Sequence, residues 1–166
     1  MIEQPAIWLE LSQSELDAAY DQSVYAPNMT EVLGRLSKKS REARDNLGEP
    51  LRRQYGDKAI EGMDIYACGQ AQRPVLIFVH GGSWQVGSAA DSAFAAQMAI
   101  NAGIHFVVPD FSPVDDFNGD LEGMVAQLQQ AVAWLYQHAE EFGGDPEQLF
   151  LCGFSSGGHL AGVLLS

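Results

Sequence analysis

Residues 149–165 read Leu-Phe-Leu-Cys-Gly-Phe-Ser-Ser-Gly-Gly-His-Leu-Ala-Gly-Val-Leu-Leu. Leu149–Cys152 is a short apolar run with the composition of a buried strand, and Gly158–Leu165 is a helical run. Between them lies Gly153-Phe154-Ser155-Ser156-Gly157. Gly-x-Ser-x-Gly alone is a weak signal. Between a strand and a helix it is a strong one, because the sharp turn that lifts a serine Oγ over the sheet edge needs residues without bulk on either side. The helix that starts there also aims its free N–H groups and positive dipole end at Ser155, the candidate nucleophile.

A second apolar run, Val75–Val79, is followed at once by His80-Gly81-Gly82-Ser83-Trp84. Paired glycines after a strand let the backbone approach a ligand closely, and the amides of Gly82 and Ser83 can face the oxygen of a tetrahedral intermediate. With the amide of Ser156, the residue after the serine, they supply the two halves of an oxyanion hole, while His80, Gly81, Trp84, Gly153 and Gly157 support the two loops. Both motifs fall at the C-terminal ends of predicted parallel strands, where open α/β sheets place their sites.

The rest of residues 51–166 fits one pattern. Leu51–Tyr55 and Met63–Cys68 read as an antiparallel hairpin. A helix over Ser92–Ala102, a run Ile104–Val108 and a helix over Leu121–His138 follow, and Gly143-Gly144-Asp145-Pro146 marks a turn before the last strand. Apolar runs without alternation suit strands covered on both faces. The predicted fold is a mostly parallel, doubly wound α/β sheet with an antiparallel entry, and the order of the two motifs, oxyanion loop before serine turn, matches the α/β-hydrolase layout. Residues 1–50 form a helical lead-in. Ser12 and Glu15 make a capping box for a helix to about Tyr20. A second helix spans Met29–Leu47, with Val32, Leu33, Leu36 and Ala43 on one side and Gly48 and Pro50 as its stop.

Composition excludes several classes. The 166 residues carry a net charge of −13, 46% hydrophobic residues and two cysteines, which suits neither a disordered chain nor a disulfide-stapled one. Eight of the nine Lys and Arg residues lie within 34–58. That cluster is either a polyanion patch or the solvated face of a helix, and the interspersed Glu42, Asp45 and Glu49 favour the helix face. Nucleic acid and membrane are thus not expected partners. The N-terminal residues lack the basic and apolar regions of a signal peptide, so a cytoplasmic location is expected. No Asp, Glu, His or Cys cluster has metal-ligand spacing.

The two motifs together resemble those of kynurenine formamidases (arylformamidases), which are related to hormone-sensitive-lipase-like esterases. His80–Trp84 fits the pattern His-Gly-Gly-x-Trp, and Gly153–Leu160 is similar to Gly-His-Ser-Ala-Gly-Gly-His-Leu. Leu16–Tyr20, Asp64–Tyr66, Gly87-Ser88 and Gly144–Pro146 extend the likeness over nearly the whole chain. Phe154, Ser156 and Asp110-Phe111 depart from the pattern. The resemblance implies a cofactor-free and metal-free serine hydrolase with Ser155 as nucleophile. It implies Gly82, Ser83 and Ser156 as backbone donors, and Trp84 as a wall of the acyl or aryl pocket. The implied substrate is an N-formyl arylamine such as N-formylkynurenine, from tryptophan catabolism. The Ser156 change is expected to be tolerated, because the donor is its amide, and Phe154 is expected to alter packing beside the turn.

In this fold the triad acid and histidine follow the serine, and only eleven residues follow Ser155. At ~30 residues per βα unit, the remaining strands need on the order of 100 more residues. The chain is thus expected to be a domain truncated after the nucleophile helix and nearly inactive alone. Its last strand would then be an open edge inviting self-association. Among upstream groups, His80 reads as structural, and His159 is expected to point into packing. His105 begins a strand, His138 ends a helix, and Asp110 structures a loop. Trp8 and Trp134 read as packing residues, and core is the default for Tyr20 and Tyr25, with the rim of the cleft as the alternative. Two alternatives stand beside the formamidase reading: a carboxylesterase for small acyl esters, and a non-catalytic interaction module that retains the serine turn.

Overall fold

The computed structural model describes residues 6–166; residues 1–5, which carry much of the signal-peptide reading, lie outside them. The chain divides into two compact units, one running to Arg35 and one of Leu36–Ser166.

The first unit contains α1 (Gln13–Tyr20), α2 (Gln22–Tyr25) and the start of α3 (Met29–Leu47). The capping box forms: Glu15 Oε2 accepts the Ser12 amide at 2.9 Å. Asp21 caps α2 by accepting the Ser23 amide at 3.0 Å. Neither helix buries a residue. Trp8, in an isolated bridge with Leu11, and Tyr20 and Tyr25, at the ends of α1 and α2, are all exposed, against the expectation of packing; helices this short have no inner face to offer the two tyrosine rings. Val32 and Leu33 are likewise exposed, and the residues that α3 buries are Ser40 and Ala43.

The second unit is built on five strands, β1 (Leu51–Gln54), β2 (Gly62–Tyr66), β3 (Arg73–Val79), β4 (His105–Pro109) and β5 (Gly144–Gly153), in the order β1-β2-β4-β3-β5. The β1–β2 and β2–β4 pairs are antiparallel, whereas β4–β3 and β3–β5 are parallel. The predicted hairpin and parallel strands are thus present, although β5 starts at Gly144, so the predicted turn before it is partly strand.

Helices cover both faces of the sheet. On one face Met63, Ile65, Val75, Ile77 and Val107 pack against Ala131, Leu135 and Ala139, the inner side of α5 (Leu121–His138) and its continuation. On the other, Tyr66, Phe78 and Phe106 meet Ala89, Ala93, Ala96 and Ala99. Small helix residues there let the helix approach strands whose own side chains are aromatic. The helix expected over Ser92–Ala102 is a 3-10 helix over Ala90–Ala95 followed by α4 (Ala96–Asn101). Its first half is tightened because the Phe94 amide donates to buried Ser40 Oγ at 3.1 Å rather than back along an α-helix.

Finally α6 (Ser156–Leu164) follows β5 after two residues. β5 pairs only with β3, so its outer side is a sheet edge among the described residues. Beside it, an apolar hollow of about 460 Å³ is lined by Ile77, Val132, Leu149, Leu151, Leu164 and Leu165, among others.

Candidate active site

Ser155 stands exposed between β5 and α6 with φ 53° and ψ −124°, a backbone conformation that L residues rarely adopt. The turn is held by backbone contacts: the Phe154 amide donates to Val79 O at 3.1 Å, and the Gly158 amide to Ser155 O at 2.9 Å. Its glycines are required by space. A Cβ on Gly157 would lie 2.7 Å from the Val79 carbonyl carbon, and one on Gly153 would lie 2.6 Å from the Gly158 nitrogen. The predicted strand-turn-helix is therefore present, with Ser155 at its tip.

The loop 80–87 follows β3, the strand beside β5, and meets this turn directly. A Cβ on Gly81 would sit 2.7 Å from Phe154 O and 3.0 Å from Ser155 Cβ. Ser83 and Trp84 both have positive φ, 53° and 63°. The loop folds on itself, with Gly82 O accepting the amides of Gln85 and Val86, each at 3.0 Å. Among the described residues, no protein group accepts the amides of Gly82, Ser83 or Ser156. The loop and the turn thus bring Ser155, Gly81, Gly82, Ser83, Trp84 and Ser156 to one end of two adjacent parallel strands.

His80 is buried and stacks on Phe111, with ring centroids 4.3 Å apart. Its Nδ1 lies 3.0 Å from Gly81 O; a carbonyl only accepts, so Nδ1 carries the proton. Burial pushes its pKa below the ordinary 6.5, which favours the neutral ring. His80 Nε2 and Trp84 Nε1 have no protein partner, and both residues line a cavity of about 90 Å³ that Ser155 does not line. The other histidines are also engaged away from Ser155 Oγ: His105 with Cys68 and Phe142, and His138 with Trp134. His159 was expected in packing. Instead it is exposed, and its ring stands at 90° to that of Trp84, 5.7 Å away, because the first turn of α6 projects from the sheet beside the loop.

Asp110 structures the loop as expected: its Oδ1 accepts the Ala89 amide at 2.6 Å, and its Oδ2 lies 2.7 Å from Arg52 Nη2. Arg52 also reaches buried Asp64 at 2.8 Å, and Arg44 approaches that carboxylate at 3.6 Å. Burial opposes the Arg52 charge, but its hydrogen bonds to Asp64 and Asp110 outweigh that and hold its pKa above the ordinary value. Two members of the basic cluster are therefore partners of inner carboxylates rather than a solvated face. The hairpin carried the missing signal, since Arg52 pairs directly with Asp64 across it. The Ser156 hydroxyl was also overlooked: it accepts the Trp84 amide at 3.3 Å.

Among the described residues no group of three or more His, Cys, Asp or Glu could hold a metal ion, and no helix is long and apolar enough to cross a membrane.

A strained serine turn at the end of one parallel strand, a double-glycine loop at the end of the next, and helices on both faces of the sheet define an α/β-hydrolase. The BD-FAE family model matches residues 63–165, and the chain belongs to that family. It is 30% identical, over 96% of its length, to the kynurenine formamidase of Danio rerio, of which it covers 55%. A thermophilic esterase of Thermogutta terrifontis superposes with a TM-score of 0.62 at 27% identity, over 69% of this chain and 43% of that one. A protein of Silicibacter sp. TM1040 assigned as a thioesterase gives a TM-score of 0.76 at 24% identity, over 92% and 56% of the two chains, a likeness of fold alone. The chain spans about half the length of the curated relatives it matches.

Proposed function

We propose that this chain carries the nucleophile and the oxyanion hole of a serine hydrolase acting on an N-formyl arylamine of the N-formylkynurenine kind. The observation that carries the reading is Ser155, held exposed at φ 53° beside three amides that no protein group accepts. Ser155 Oγ attacks the formyl carbon and gives its proton to a general base. The amides of Gly82, Ser83 and Ser156 hold the resulting oxyanion. The C–N bond then breaks as the amine takes a proton, leaving a formyl ester on Ser155. Water attacks that ester, releasing formate and restoring the hydroxyl. None of the four histidines hydrogen-bonds Ser155 Oγ among the described residues, so none of them is assigned as the base. Trp84, half-buried at the loop, is assigned to the wall of the substrate pocket.

A second reading, an esterase for small acyl esters, is favoured by the likeness to the Thermogutta terrifontis esterase. Turnover of N-formylkynurenine and of a short-chain aryl ester by the full-length protein separates the two; ester turnover alone would remove the formamidase reading. Fluorophosphonate labelling at Ser155, lost in Ser155→Ala, is expected under either. A folded full-length protein that takes no label would instead be a binding module.

A further inference from the structure

We propose that the Ser156 hydroxyl is a positioning group that clamps loop 82–84 to the first turn of α6, so that the loop amides stay turned toward Ser155 Oγ. This rests on the reading of Ser155 as nucleophile.

Two consecutive non-glycine residues, Ser83 and Trp84, hold positive φ in this loop. Such backbone persists only where its surroundings over-determine it. Gly82 O is tied to Gln85 and Val86, but those bonds are internal to the loop. Trp84 O accepts the Val114 amide at 2.8 Å, which ties the loop to the segment after β4. Only the bond from the Trp84 amide to Ser156 Oγ joins residues 80–87 to residues 153–159 among the described residues. It links the two halves of the proposed oxyanion hole, because Ser156 contributes its amide from the turn while its hydroxyl holds the loop. Ser156 is 7% exposed, so water does not readily replace that oxygen as the acceptor. The ring contact of Trp84 with His159 uses the indole and not the amide.

Ser156→Ala removes one oxygen at the first helical position, where alanine is the better helix former, so the fold is retained. In the full-length protein the amides of 84–86 are expected to exchange about tenfold faster, the magnitude of one lost neutral hydrogen bond. Fluorophosphonate labelling of Ser155 and kcat should both fall about tenfold with little change in KM, because the loop amides act in the transition state. Ser156→Thr keeps the hydroxyl and should restore most of the rate. Unchanged exchange at 84–86 in Ser156→Ala would overturn the clamp. Faster exchange with unchanged labelling would overturn the positioning role. A wild-type protein that takes no label at Ser155 would overturn the nucleophile reading itself, a result distinct from both.

Discussion

The two halves of the site reach rigidity by different means. The serine turn is locked by backbone against backbone: Gly153 and Gly157 sit where any Cβ would collide with main-chain atoms. The double-glycine loop has backbone ties too, from Gly82 O to the amides of Gln85 and Val86 and from Trp84 O to that of Val114, but it also depends on side chains, through Ser156 Oγ and the stack of His80 on Phe111, with Asp110 holding the Ala89 amide just beyond it. A backbone lock fails all at once, whereas side-chain tethers loosen one by one. The turn that holds Ser155 is therefore the brittle half, and the loop is the one that side-chain changes can adjust.

The sharpest way to break this contrast is Gly157→Ala. Its methyl would press on the carbonyls of Val79 and His80 with no flexible side chain to yield, and a loss of about 3 kcal/mol or more is expected from urea unfolding. A wild-type midpoint would show that the turn is not backbone-locked. Next comes Arg52→Met, which leaves Asp64 and Asp110 without their shared guanidinium. Arg52 is partly exposed, so about 2 kcal/mol is expected, less than the ~3–5 kcal/mol of a fully buried pair. Faster exchange at residues near Ala89 should accompany it.

His80 makes the loop half acid-sensitive. Its folded pKa lies below the ordinary 6.5, so between the two values the unfolded chain binds a proton that the folded one does not. Stability is complete above about pH 6.5 and falls as the pH drops toward the lowered folded value. Urea midpoints of wild type at about pH 7.5 and 5.5 should differ more than those of His80→Asn; equal differences would remove His80 from the account. The smallest effect is expected for Ser83→Gly, which relieves a positive φ and should raise the thermal midpoint, a gain of at most ~1 kcal/mol.

Much of this was legible in the sequence where periodicity or steric need speaks locally. The helix Leu121–His138 has the predicted bounds, and the Gly-x-Ser-x-Gly turn adopts the predicted setting because its glycines are demanded by space. What was not legible depends on partners distant in the chain. Ser40 reaches Phe94 and converts an α-helical start into a 3-10 helix. Arg52 reaches Asp110, 58 positions on, only because β2 lies between β1 and β4. His159 was misplaced because helix spacing gives its face but not which loop stands over it.

Among the described residues β5 has no neighbour on its outer side. Phe150 is 55% exposed there, and the neighbouring hollow is apolar and open at the surface. An amphiphilic reporter such as ANS should fluoresce on these 166 residues prepared by themselves, with their tertiary circular dichroism intact. Dye binding, ordinarily taken as a mark of a loosened core, would there report the open edge of β5 in a folded chain.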